Sequence, residues 1–127
     1  MTQNAGLQEC QDRISPEALD RHRAVLSIRE EFDAIDLYDQ RVEATDNPEL
    51  AALLAHNRDE EKEHVAMLLE WLRRQDPALD SNLHTYLFTS GPVTEIEAEA
   101  EAVPPGEPDA AGGSGSLSIG SLKGESL

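Results

Sequence analysis

The chain has 127 residues, which bounds it at one domain, and its polar ends leave about ninety residues to build a small core. With 10 basic against 26 acidic side chains its formal charge is −16, which repels nucleic acid and anionic membranes and attracts cations. Aromatic residues make up 4% and no apolar run nears the roughly 20 residues of a membrane span, so the expected fold class is all-α, built from Ala, Leu, Glu and Arg.

Residues 1–14 form a polar, aperiodic leader. Its start, MTQNAGLQECQD, has neither the basic beginning nor the apolar middle of a secretion signal. The one cysteine, Cys10, has no partner for an internal disulfide, which points to a reducing cytoplasm. The folded domain is expected over 15–95. Ser15, Pro16 and Glu17 combine a hydroxyl cap, a proline at the first helical position and an acid in the first turn. From there a stripe of Leu19, Ile28, Ile35 and Val42, widened by Val25, Leu26 and Phe32, predicts a helix to about residue 43. Ala44 to Asn47 break the period, and Asn47, Pro48 and Glu49 start a second helix. Its stripe runs through Leu50, Leu53, Leu54, Val65, Leu68 and Leu72 to Arg73 and Arg74, where Asp76-Pro77 stops it. Both helices come to about 28 residues, or roughly 42 Å, and so short a connection makes them an antiparallel hairpin.

A shorter third helix begins at Asp76-Pro77, carries Leu79, Leu83, Tyr86 and Leu87, and ends before Gly91-Pro92. Residues 96–116 read as a linker, first the acidic run within EIEAEAEA and then PPGEPDAAGGSGS. The tail, 117–127, sets Leu117, Ile119 and Leu122 in a segment too short to bury them itself.

Three ionisable residues interrupt the apolar stripes. On the first helix Glu31 falls between Ile28 and Ile35; on the second, Glu61 and His64 follow Leu54 and Asn57 and precede Leu68. Glu31 lies 12 residues before the end of its helix and Glu61 lies 13 after the start of the next. Both therefore sit roughly 18 to 20 Å from the turn and face one another. One such residue on a stripe is ordinarily a satisfied polar group. Three at one height, two of them anionic, cost too much to desolvate unless a cation joins them. Carboxylate-rich ligation with one imidazole suits iron or manganese better than a closed zinc site.

Ferritin-like di-iron bundles take a Glu from each of two helices and a Glu-x-x-His pair from each of two others. This chain supplies one lone glutamate and one such pair, which is half a site. The expected architecture is thus a four-helix bundle formed only on dimerisation, with two metals at the contact. Other candidates are looser. His56, Glu60 and Glu63 follow i, i+4, i+7 spacing and offer a secondary ion site; Glu30 and Asp33 flank Glu31 and can guide cations inward; Tyr38 stands where it can hydrogen-bond near the site or simply pack.

The stretches RHRAVLSIREEFDAIDLYDQR and HNRDEEKEHVAMLLEWLRR, followed by TYLFTSGP, resemble the encapsulated ferritin family of bacteria, and the tail LSIGSLKG resembles the peptide by which such proteins dock inside encapsulin shells. The resemblance implies a ferroxidase with di-iron centres between paired protomers and a ring of ten subunits, a homodecamer of five dimers. It implies that Glu31, Glu61 and His64 hold the iron pair with Tyr38 nearby. It makes Glu30 and Asp33 an ion-access site open to iron, calcium or another divalent ion, and His56, Glu60 and Glu63 secondary ligands. Two positions depart from the pattern: Leu37 stands for a tryptophan and Asp33 for a glutamate.

These readings together predict oxidation of Fe(II) to Fe(III) by oxygen and delivery of iron to a mineral stored inside an encapsulin nanocompartment in the cytoplasm. Leu117, Ile119 and Leu122 would anchor the chain to the shell protein. Two alternatives stay open on the residues alone: a non-catalytic assembly module stapled by metal, and a manganese or zinc relative of the same build.

Overall fold

A computed structural model describes residues 6–102. The linker beyond residue 102 and the tail 117–127, with Leu117, Ile119 and Leu122, lie outside the described residues. The chain is all-helical there, with no strand among the described residues. A short 3-10 turn, Gln11–Arg13, precedes α1, Pro16–Ala44; α2, Pro48–Gln75, α3, Pro77–Tyr86, and α4, Val93–Glu101, follow. None is long and apolar enough to cross a membrane.

Capping chemistry sets the helix starts. The Ser15 hydroxyl accepts from the Ala18 amide at 3.1 Å, Asn47 accepts from the Leu50 amide at 3.0 Å, and Asp76 accepts from the Leu79 amide at 3.0 Å. A proline follows each cap, at the position where a missing amide costs nothing. Asn47→Ala removes one acceptor from the start of α2 and is expected to lower stability by about 1 kcal/mol. Urea unfolding followed by helical circular dichroism checks this, and an unchanged midpoint would contradict it.

The chain divides into two compact units, 1–83 and 84–127. In the first, α1 and α2 pack along each other. Their register is antiparallel, since contacts pair His64 with Glu31 and, nearer the turn, Arg58 with Asp39. The helix ends match the expected ones to within about a residue at each end of the hairpin. In the second unit α3 ends at Tyr86, where the Thr89 hydroxyl donates to the Tyr86 carbonyl at 2.7 Å and Phe88 takes a left-handed φ of 61°. The acidic run expected to open the linker is helical instead, as α4. Glu and Ala are strong helix formers, and the Pro92 carbonyl accepts from the Glu95 and Ile96 amides at 3.1 and 3.2 Å to start the first turn.

A corner of ion pairs ties α2 to α3. Glu70 accepts from Arg73 Nε and Nη2 at 2.8 Å and from Arg74 Nε at 2.6 Å, while Arg73 also bonds Asp80. Arg73 foremost, with Arg74 behind it, draws the Glu70 carboxyl from the ordinary 4.5 down to about 2. A carboxyl depressed by folding stabilises the fold fully above pH 4.5, and that contribution disappears as the pH falls through about 2. Because Glu70 is partly exposed the effect is at most about 1 kcal/mol. The melting temperatures of wild type and Glu70→Gln are expected to differ at pH 7 and to converge towards pH 2. A gap that stays constant over that range would contradict the pairing.

The core of one chain is slight: among the described residues only Ala24 and Leu72 are buried. Phe32, Leu53 and Met67, on or beside the apolar stripes, are each more than half exposed. Two helices have one shared contact line, so a stripe wide enough for a bundle leaves apolar side chains open on a single hairpin.

Candidate metal centre

Glu31 lies in the middle of α1, and Glu61 and His64 lie in the middle of α2, where three-residue spacing puts both on one face. Antiparallel packing brings them level. His64 Nδ1 stands 3.2 Å from Glu61 Oε1 and 3.4 Å from Glu31 Oε1, and one ligand atom from each of the three residues lies within 4.8 Å of the others. Among the described residues no other three His, Cys, Asp or Glu side chains converge in this way.

The group is crowded with acceptors. A hydrogen bond shared with Glu61 raises the Glu31 carboxyl above its ordinary 4.5, and burial and the Glu61 charge push the same way. The shared bond holds Glu61 below 4.5, with His64 helping. His64 is held above 6.5, chiefly by its bond to Glu61 and then by Glu31. Protons shared between the carboxylates and held on the ring thus relieve the repulsion of Glu31 and Glu61. A divalent cation would take the place of those protons, so binding releases them.

The site is sheltered on one side and open on the other. Glu31 and Glu61 side chains are 25% exposed and His64 is 47% exposed. Three ligand residues would leave the coordination shell of an iron or manganese ion incomplete.

The remaining candidates stand apart from this group. Tyr38 is half-buried two turns along α1, with the Arg41 guanidinium 6.0 Å from its ring centroid. Glu30 and Asp33 are exposed on α1 to either side of Glu31. His56 Nε2 stands 3.8 Å from Glu60 Oε2, both exposed, while Glu63 borders a shallow groove with Met67, Glu70 and Trp71. Sequence reasoning passed over Arg58, which is half-buried on α2 and bonds Asp39 on α1 at 2.9 Å. The signal for it is a basic residue one turn from Glu61, but its partner is 19 positions away and visible only once the hairpin is folded.

Comparison with known proteins gives one consistent answer. A family model described as EncFtn-like matches residues 6–90. The encapsulated ferritin-like protein of Rhodospirillum rubrum is 57% identical over 117 residues, covering 88% of this chain and 84% of the relative. A ferritin-like protein of Thermotoga maritima is 56% identical over 77 residues, 61% of this chain and 68% of the relative. The encapsulin nanocompartment cargo protein EncC of Myxococcus xanthus is 48% identical over 52 residues, 41% of this chain and 40% of the relative. Among solved structures, protein ne0167 from Nitrosomonas europaea is similar with a TM-score of 0.67 at 59% identity, covering 69% of this chain and 97% of that one.

Proposed function

The chain belongs to the EncFtn-like family, and from that membership and the geometry of its half-site we propose that it is a ferroxidase, oxidising Fe(II) at a centre shared between two copies of the chain. The observation that carries this reading is the convergence of Glu31, Glu61 and His64 on the open side of the α1–α2 pair. A second copy meeting the first across that face would bring the same three residues and cover apolar side chains such as Phe32 that one hairpin leaves exposed.

Fe(II) is the substrate. Glu31 of each copy would bridge two ions, and Glu61 with His64 of each copy would cap one. Packing along α1 and α2 fixes the carboxylates before iron arrives, so little reorganisation is needed when the charge rises. Carboxylates favour the ferric over the ferrous charge, which drives the electrons towards oxygen. Glu30 and Asp33 on the exposed side of Glu31 supply negative charge on the approach, His56 and Glu60 offer a weaker secondary position, and Tyr38 would order the site's surroundings.

Among the described residues the α1–α2 pair encloses no space for mineral, so oxidised iron would be stored elsewhere. The names of the R. rubrum and M. xanthus relatives point to an encapsulin shell. Here the tail residues Leu117, Ile119 and Leu122 would bind the inner wall, with the 13 residues from Pro104 to Ser116 separating them from the helical domain. A ring of ten chains would then hang from the wall.

The test is anaerobic addition of Fe(II) followed by air, with absorbance of the ferric product and oligomer mass followed together. Rapid growth of absorbance with assembly is the expected result. Assembly without oxidation would show a metal staple and overturn the ferroxidase reading.

A further inference from the structure

Arg58 stands one turn before Glu61 on α2, at a spacing that sets the two side chains next to each other on the helix surface. A guanidinium presents five donors in a fork suited to carboxylates. One turn away, Glu31 and Glu61 crowd two carboxylates and a ring together, and their repulsion would draw any nearby cation. An arginine turned onto Glu61 would occupy the oxygens that a metal ion needs.

The guanidinium is engaged elsewhere. Arg58 Nη1 donates to Asp39 Oδ1 on α1 at 2.9 Å, and Nε donates to Asp59 Oδ1 at 3.1 Å. The Arg58 side chain is 21% exposed, against 55% for Lys62, whose Nζ pairs with the same Asp59 Oδ1 at 3.2 Å. The two aspartates come from different helices and take the arginine from two directions. Two carboxylates, one of them shared with Lys62, offset the guanidinium charge, so the site one turn away does not meet a bare positive group.

We propose that Asp39 and Asp59 are positioning residues that hold the Arg58 guanidinium off the carboxylates of Glu31 and Glu61, leaving those oxygens open to a divalent cation. This rests on the metal reading of the site.

Co(II), which does not turn over with oxygen in place of iron and has visible absorption bands, is the probe. The full chain is titrated as wild type, Arg58→Gln, Asp39→Asn with Asp59→Asn, and all three changes together, with Glu31→Ala marking the band that belongs to this site. Arg58→Gln alone is expected to leave Co(II) affinity within about twofold. Freeing the arginine through the two Asp→Asn changes is expected to weaken binding about fivefold or more, and adding Arg58→Gln to them is expected to recover most of the loss, as coupled neighbours do. A purely structural tie predicts that Arg58→Gln weakens binding by itself, and general charge effects predict the same change in both backgrounds. Either result, with a wild-type band present, overturns this proposal alone. A wild-type chain with no Co(II) band sensitive to Glu31→Ala overturns the metal reading and the proposal together.

Discussion

Glu31→Ala is expected to lower the rate of Fe(II) oxidation by more than about 100-fold, since changes even to groups that only support metal ligands cost about 10- to 100-fold. The effect is expected to be the largest of any single change because each Glu31 would bridge both ions, so its loss from both copies would take two ligand residues from each ion. Glu61→Ala and His64→Ala would each remove one cap per ion and are expected to follow in the same range. None of the three should unfold the hairpin: they are incompletely buried, and alanine is the best helix former. Stopped-flow absorbance after mixing Fe(II) protein with oxygenated buffer checks this, with circular dichroism as the control for folding. Three variants that oxidise iron at the wild-type rate would show the centre to be elsewhere. Glu31→Asp sharpens the test, because it keeps the charge and shortens the reach by one methylene.

Deleting residues 117–127 is expected to abolish loading into a co-expressed encapsulin shell while leaving Fe(II) oxidation by the free chain within about twofold. The tail carries Leu117, Ile119 and Leu122, with Leu127 at its end, and full burial of each of the first three in a shell groove would be worth about 1.5 to 3 kcal/mol. Loss of all three would remove the proposed hydrophobic contact with a shell groove. The triple change of Leu117, Ile119 and Leu122 to serine should match the deletion, because it keeps the length and removes the apolar groups. Co-purification of the truncated chain with assembled shells would show that docking uses another surface.

Local chemistry was the legible part of the fold. Ser15-Pro16, Asn47-Pro48 and Asp76-Pro77 each carry a cap and a proline within two positions, and α1, α2 and α3 begin at those prolines. Helix α4 was hidden because EIEAEAEA alternates strictly and shows no helical period. Its residues nevertheless favour helix one by one. The height argument that set Glu31 opposite Glu61 needed only the helical rise and the turn position, and the structure brings those residues together with His64. What the pattern overstated is dryness. Leu53 and Phe32 belong to the stripes and are exposed in one hairpin, because periodicity reports which face is apolar and not what covers it. The Arg58 bridge to Asp39 was invisible for another reason: it pairs two charged residues across the hairpin, and nothing in the spacing of either marks the other.

Anomalous scattering at the iron edge, measured on crystals of the Fe(II)-loaded chain, bears most directly on the divided centre. The expected result is two iron peaks lying between two copies, with Glu31 of both copies touching both ions and Glu61 and His64 of each copy touching one. An iron peak whose protein ligands all come from one chain, or none near Glu31, would contradict it.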